Sequence, residues 1–94
     1  MEVKLWRPTD RNTKLIGVNF TDEKDGDWLE LYFSYETIVA FDMRGQEMVV
    51  SENVWSNTTG RHLNEIDGGE KEDRISPDAF QKQLDEALER FFNA

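Results

Sequence analysis

The sequence has no cysteine, two prolines and a single histidine in 94 residues. Without cysteine there is no disulfide framework, no thiolate metal site and no thiol nucleophile, and nothing points to an oxidising compartment, so a cytoplasmic setting is expected. One histidine confines any triad, two-histidine zinc site or imidazole relay to His62, and neither catalysis nor a metal is expected. The six glycines fit neither the P-loop nor the dinucleotide fingerprint, so no cofactor is expected. Around Gly26 an EF-hand would need its first ligand at Thr21 and its bidentate carboxylate at Tyr32, which excludes that calcium loop. No run of about 18 apolar residues occurs, and the N-terminal stretch lacks an apolar core, so neither a membrane span nor a secretion signal is expected.

Positive charge is also scarce. Eleven basic residues stand against 20 acidic ones, a formal charge of −9. This balance argues against direct nucleic-acid binding or docking on an anionic membrane, both of which need basic surfaces. The deficit is uneven: residues 1–14 carry Lys4, Arg7, Arg11 and Lys14 against Glu2 and Asp10, a local +2, so the remainder holds −11.

The length fits one small domain over residues 1–94. Three Trp, six Phe and two Tyr supply large buried areas for its core. Alternation predicts a first strand through Val3 and Leu5, ending at Arg7-Pro8, and a second through Ile16, Val18 and Phe20. The polar run Thr21 to Asp27 predicts a hairpin loop, followed by a strand through Leu29, Leu31 and Phe33. After Ser34 to Thr37, the continuous apolar run Ile38–Met43 predicts a strand buried on both faces. Arg44-Gly45-Gln46 reads as a turn before a fifth strand through Met48, Val49 and Val50.

Beyond Ser51 the period changes. Thr59, His62, Leu63 and Ile66 predict a short helix over 57–66, weakened by Gly60. Residues 67–74 have no apolar side chain and read as a solvated, mobile connection. A C-terminal helix from Pro77 to about Phe92 has Ser76 as N-cap, an Ile75/Phe80 staple and an apolar stripe of Phe80, Leu84, Leu88 and Phe91. The expected fold is α+β, an antiparallel sheet of four to five strands with a short helix and one C-terminal helix packed on one face. Leu29, Leu31, Phe33, Ile16, Val18, Phe80, Leu84, Leu88 and Phe91 are its expected core.

Three surfaces draw a functional reading. Two acidic loops carry Asp22, Glu23, Asp25 and Asp27 in one, and Glu65, Asp67, Glu70, Glu72 and Asp73 in or beside the other. On one side of the fold, such carboxylates would imitate the phosphates of DNA and compete for a basic protein groove; otherwise they solvate the domain. Asp22, Glu23, Asp25, Asp27, Glu70, Glu72 and Asp73 are the partner-binding candidates. The second surface is Val54 to Asn64, where Ser56, Thr58, Thr59, Arg61, His62 and Asn64 crowd together. As structure, Ser56 or Thr58 caps the helix and His62 anchors it through a hydrogen bond. As function, the cluster rings a small polar or phosphate-bearing ligand or a peptide. Third, Trp6, Trp28, Tyr32 and Tyr35 are expected opposite the C-terminal helix, for protein recognition, a minor second core or a homodimer face.

The run Tyr32-Phe33-Ser34-Tyr35-Glu36-Thr37-Ile38-Val39-Ala40-Phe41, followed by Trp55-Ser56-Asn57-Thr58-Thr59-Gly60-Arg61-His62-Leu63-Asn64, resembles a family of small bacteriophage and prophage proteins. Its aromatic-Ser-Tyr-x-Thr-x-Val-Ala strand pair falls on Ser34, Tyr35, Thr37, Val39 and Ala40, with Ile38 where many members have proline. Its Ser-x-Thr-Thr-x-x-His-x-Asn segment falls on Ser56, Thr58, Thr59, His62 and Asn64. The match spans about residues 28–66, leaving the acidic loops and the C-terminal helix mostly outside. The resemblance implies a phage setting within the host cytoplasm and carries no activity with it. The expected function is an acidic protein-binding domain, an inhibitor or DNA mimic acting on a host or defence nucleic-acid enzyme with a basic surface. The alternatives are a ligand- or peptide-binding module built on 56–64 and a structural or accessory phage protein.

Overall fold

The computed structural model describes residues 1–9 and 14–93; Asp10 and Arg11 lie outside them. Five strands follow in order: β1 (Glu2–Trp6), β2 (Leu15–Asp22), β3 (Asp27–Ser34), β4 (Thr37–Met43) and β5 (Val49–Val50). They form one antiparallel meander, β1-β2-β3-β4-β5. Helix α1 (Asn57–Asp67), a 3₁₀ turn (Lys71–Asp73) and helix α2 (Pro77–Asn93) complete the chain. The fold is α+β, as the change from period-two to helical spacing implies.

Because side chains alternate across a strand, each strand feeds two layers. On the α2 side, Val18 lies opposite Leu31 and Leu31 opposite Phe41, while Phe20 lies opposite Leu29 and Leu29 opposite Met43. Leu29, Leu31, Phe41 and Met43 pack against Phe80, Leu84 and Ala87 of α2. The α2 start follows its signals, with the Ala79 N–H donating to Ser76 Oγ at 3.3 Å. On the other side, Tyr32, Val39, Ala40 and Val50 pack under Leu63 of α1. A bulge explains how two consecutive β4 residues reach that layer: Tyr32 faces Ala40 and Phe33 faces Ile38, leaving Val39 extra.

Two expectations change. Ile16 and Val18 are only half-buried, whereas Leu15, on the opposite side of β2, is fully buried. Helix α2 closes over β3 and β4, so the outer strands keep part of their apolar row open, while Leu15 shares its side of the sheet with buried Ser34. Residues 67–74 are not simply a solvated connection either. Arg74 is 9% exposed, and its Nε donates to Asp67 Oδ2 at 2.7 Å. Among the described residues no helix is long and apolar enough to cross a membrane.

Candidate functional site

The two motif segments meet in space. Ser34 closes β3, and Tyr35 begins the turn into β4 with φ 58°, a left-handed conformation that disfavours a residue bearing Cβ. That turn aims Ser34 at α1, where Ser34 Oγ lies 2.5 Å from His62 Nδ1 and 3.0 Å from Thr59 Oγ1. Ser56 caps α1: its Oγ accepts from the Thr59 N–H at 3.2 Å and donates to Thr59 Oγ1 at 3.4 Å. A run in which each hydroxyl donates once passes from Ser56 to Thr59, Ser34 and Nδ1, which places the imidazole proton on Nε2. Nε2 has no hydrogen-bond partner among the described residues.

Burial lowers the His62 pKa and keeps the ring neutral. The Tyr35 ring lies 5.7 Å from it. His62, Ser34 and Thr59 are 0%, 2% and 4% exposed, so this triplet is sealed between sheet and helix. It joins α1 to the β3–β4 turn and presents nothing to a dissolved ligand. Thr58 is half-buried, and Arg61 and Asn64 lie on the exposed face of α1. The second candidate surface is thus divided: Thr59 and His62 are sealed with Ser34, exposed Ser56 caps the helix at the edge of that run, and Arg61 and Asn64 turn outward.

Arg61 and Asn64 line a groove of about 410 Å³ with Asn53, Asn57, Gly60, Lys71, Arg74 and Glu52. Asn57, Gly60, Arg61 and Asn64 form one stripe of α1, spaced three, four and seven residues apart. A Cβ on Gly60 would come 2.9 Å from Asn53 Nδ2. The glycine thus accommodates Asn53, which ties down the loop before the helix by donating to Ser56 O and accepting from the Trp55 N–H. Arg74 donates to both Asp67 oxygens and to Asn64 Oδ1. Burial raises the Asp67 pKa, but hydrogen bonds from Arg74 and Gly69 and the adjacent guanidinium outweigh it and hold the carboxyl below its ordinary value.

The acidic loops hang from different elements. Asp22 and Asp27 flank the β2–β3 turn, where Asp22 Oδ1 accepts from the Lys24 N–H and Asp27 Oδ1 from the Trp28 N–H. Asp25 is exposed there, and Glu23 lies 3.9 Å from the N-terminal ammonium. In the other loop Glu72 is exposed, whereas Glu70 and Asp73 join Asp67 and Glu47 around a groove of about 460 Å³. Met48, Val50 and Ile66 line the same groove. Sequence reading missed Glu47 as part of this site, because only the packing of β5 against α1 brings it beside the second loop. Asn57 was detectable through its helical spacing to Arg61 and Asn64.

Trp6 and Tyr32 do lie opposite α2, in edge-to-face contact at 6.0 Å. Beside them Glu30 accepts from the Tyr32 hydroxyl at 2.7 Å and from Asn19 Nδ2 at 3.0 Å. Burial and this hydrogen bond push the Tyr32 phenol above its ordinary range. Burial and the facing Glu30 raise the Asp42 carboxyl. Among the described residues no three His, Asp or Glu side chains are placed to hold a metal ion.

No curated protein and no solved structure matches this chain. The model of one family, described as a family of unknown function (DUF8033), matches residues 3–82. That span takes in both motif segments, both acidic loops and the start of α2. With 80 of its 94 residues matched, the chain belongs to the DUF8033 family.

Proposed function

We propose that this domain is a non-enzymatic protein-binding module that takes a basic segment of a partner into the groove between β5 and the end of α1. The observation that supports it is the lining: exposed Glu47, Glu70 and Asp73 around half-buried Met48 and Ile66. Carboxylates at a rim steer and register a cationic partner, and an apolar floor receives one of its side chains. Asp67 adds less attraction because Arg74 holds it. Asp22, Glu23, Asp25 and Asp27 contribute to the long-range field from the β2–β3 turn without lining this groove. In the phage setting that the motif resemblance implies, the partner is a host or defence protein that handles nucleic acid.

The test is titration with a synthetic peptide of alternating lysine and leucine, and with an oligolysine of equal charge, at low and high salt. The Lys-Leu peptide should bind more tightly, and binding should weaken as salt rises. Glu70→Lys with Asp73→Lys should lower affinity about tenfold. Asp22→Lys with Asp25→Lys should lower it less. Equal affinity of wild-type protein and the Glu70/Asp73 variant would remove this reading.

A second reading rests on the outer groove of α1. There Arg61 and Lys71 line the groove together with the amides of Asn53, Asn57 and Asn64 and one carboxylate, Glu52, in a chain of net −9. Such a lining suits a small phosphate-bearing anion. Arg61→Glu should abolish the binding of inorganic phosphate, followed by calorimetry, and leave the peptide titration unchanged.

A further inference from the structure

The two edges of the sheet are built differently. β5 is two residues long, and the chain beyond it is tied by a bridge between Ser51 and Ile75. β1 ends the sheet on the other side, is five residues long, and every one of its residues is exposed. Val3 and Leu5 are 53% and 67% exposed. They lie opposite Phe20 and Val18 on the α2 side of the sheet. Phe92, 45% exposed, stands edge-to-face on Phe20 at 5.2 Å. An apolar row therefore runs out to an edge strand whose outer side, among the described residues, pairs with no other strand of the sheet. A long apolar edge is a template for another strand unless something blocks it.

We propose that β1 pairs antiparallel with β1 of a second copy of this chain, about a two-fold axis at Val3. That register places Val3 opposite Val3 of the copy on the α2 side, joining the two apolar rows. On the other side it places Glu2 opposite Lys4 of the copy and Lys4 opposite Glu2 of the copy. Shifting the axis to Lys4 would set two ammonium groups face to face, which destabilises a cross-strand pair. Charge favours this edge as well. β1 carries one carboxylate, Glu2, and one ammonium, Lys4, and is neutral in a chain of net −9. Two neutral strands therefore meet without the repulsion that two acidic faces would bring. The pairing leaves the β5 and α1 grooves open, so it is independent of the partner reading above. Two five-residue strands bury less than the ~1,200 Å² of a standard interface, so the dimer forms reversibly at concentrations between about 1 µM and 1 mM.

Sedimentation equilibrium over that concentration range tests the pairing, with circular dichroism confirming that each exposed substitution leaves the fold intact. Wild-type protein should show a monomer–dimer equilibrium. Glu2→Lys alone and Lys4→Glu alone should each weaken it about tenfold, because each sets two like-charged pairs across the axis. Mixing these two variants should restore association, and the double swap Glu2→Lys with Lys4→Glu should dimerise like wild type. A monomer throughout the range overturns the proposal. So does a dimer indifferent to both single changes, which would place the interface elsewhere, and so does capture of an unrelated β-strand peptide without self-association.

Discussion

The two sides of the sheet are closed by different chemistry. On the α2 side Leu29, Leu31, Phe41 and Met43 meet Phe80, Leu84 and Ala87, a contact of hydrocarbon with hydrocarbon. On the α1 side Leu63 supplies an apolar contact, but Ser34, Thr59 and His62 are buried beside it, with Ser34 Oγ joined to Thr59 Oγ1 and His62 Nδ1. Apolar closure is non-directional and tolerates swaps that keep volume. The polar closure holds only one relative placement of α1 and the β3–β4 turn, because a hydroxyl or imidazole left without a partner inside costs about 1–3 kcal/mol. The α2 side therefore fixes no single register of helix on sheet. The α1 side sets the position of the helix whose outer stripe and end carry both grooves.

The sharpest way to break the apolar side is Leu84→Ala. Leu84 is 3% exposed, so the change should cost about 2–5 kcal/mol, read by denaturant unfolding. A midpoint within error of wild type would show that α2 does not close the sheet. On the polar side, Ser34→Ala and His62→Ala should each cost about 1–3 kcal/mol. The double change should cost clearly less than their sum, since the two groups share one hydrogen bond. Strict additivity in that cycle would mean that the Ser34–His62 contact contributes nothing of its own.

Gly17→Ala probes the uncovered part of the α1 side. A Cβ there would lie within 3.0 Å of the Trp6 indole, which rests on the glycine. The indole must move off position 17, at a cost of about 1 kcal/mol and with a shift in tryptophan fluorescence. An unshifted spectrum would count against that packing.

The smallest effect concerns protons. The His62 pKa lies below the ordinary 6.5 because burial disfavours the charged ring. As pH falls, the unfolded chain binds this proton first. The stabilisation is therefore complete above about pH 6.5 and declines as pH drops through the folded value. Asp67, also lowered, acts in the same sense at more acid pH, below its ordinary 3.8. Melting temperature followed from about pH 7.5 to 5 should fall in wild type and fall less in His62→Gln. Parallel curves would assign the acid sensitivity to other groups.

The α2 side was legible residue by residue. Ser76, Pro77 and the stripe Phe80, Leu84 and Leu88 announce a capped helix with one apolar face, and alternation through Leu29, Leu31 and Phe33 announces the strand beneath it. Ile16 and Val18 misled because alternation shows which side chains share a face and says nothing of how far a helix extends over it. The grooves were legible in part. Glu70 and Asp73 stood out as charge, and Arg61 and Asn64 as polar groups at helical spacing. Glu47 and Lys71 did not, since each enters its groove through the packing of separate elements, and Asn53 did not, since it lies in the loop ahead of the helical spacing.

What the amino-acid sequence determined alone is local: five strands, two helices, their caps and turns, and a basic N-terminal stretch over residues 1–14 on an otherwise acidic chain. These follow from periodicity and from single-residue backbone preferences, both of which act over a few neighbouring positions. Tertiary structure decided which helix covers which side, that Ser34 meets His62 from 28 residues away, and that the acidic loops serve separate places. Those outcomes depend on the bulge at Val39, the left-handed turn at Tyr35 and the area one helix can cover. Each is a property of packed surfaces, where groups remote along the chain compete for the same buried space.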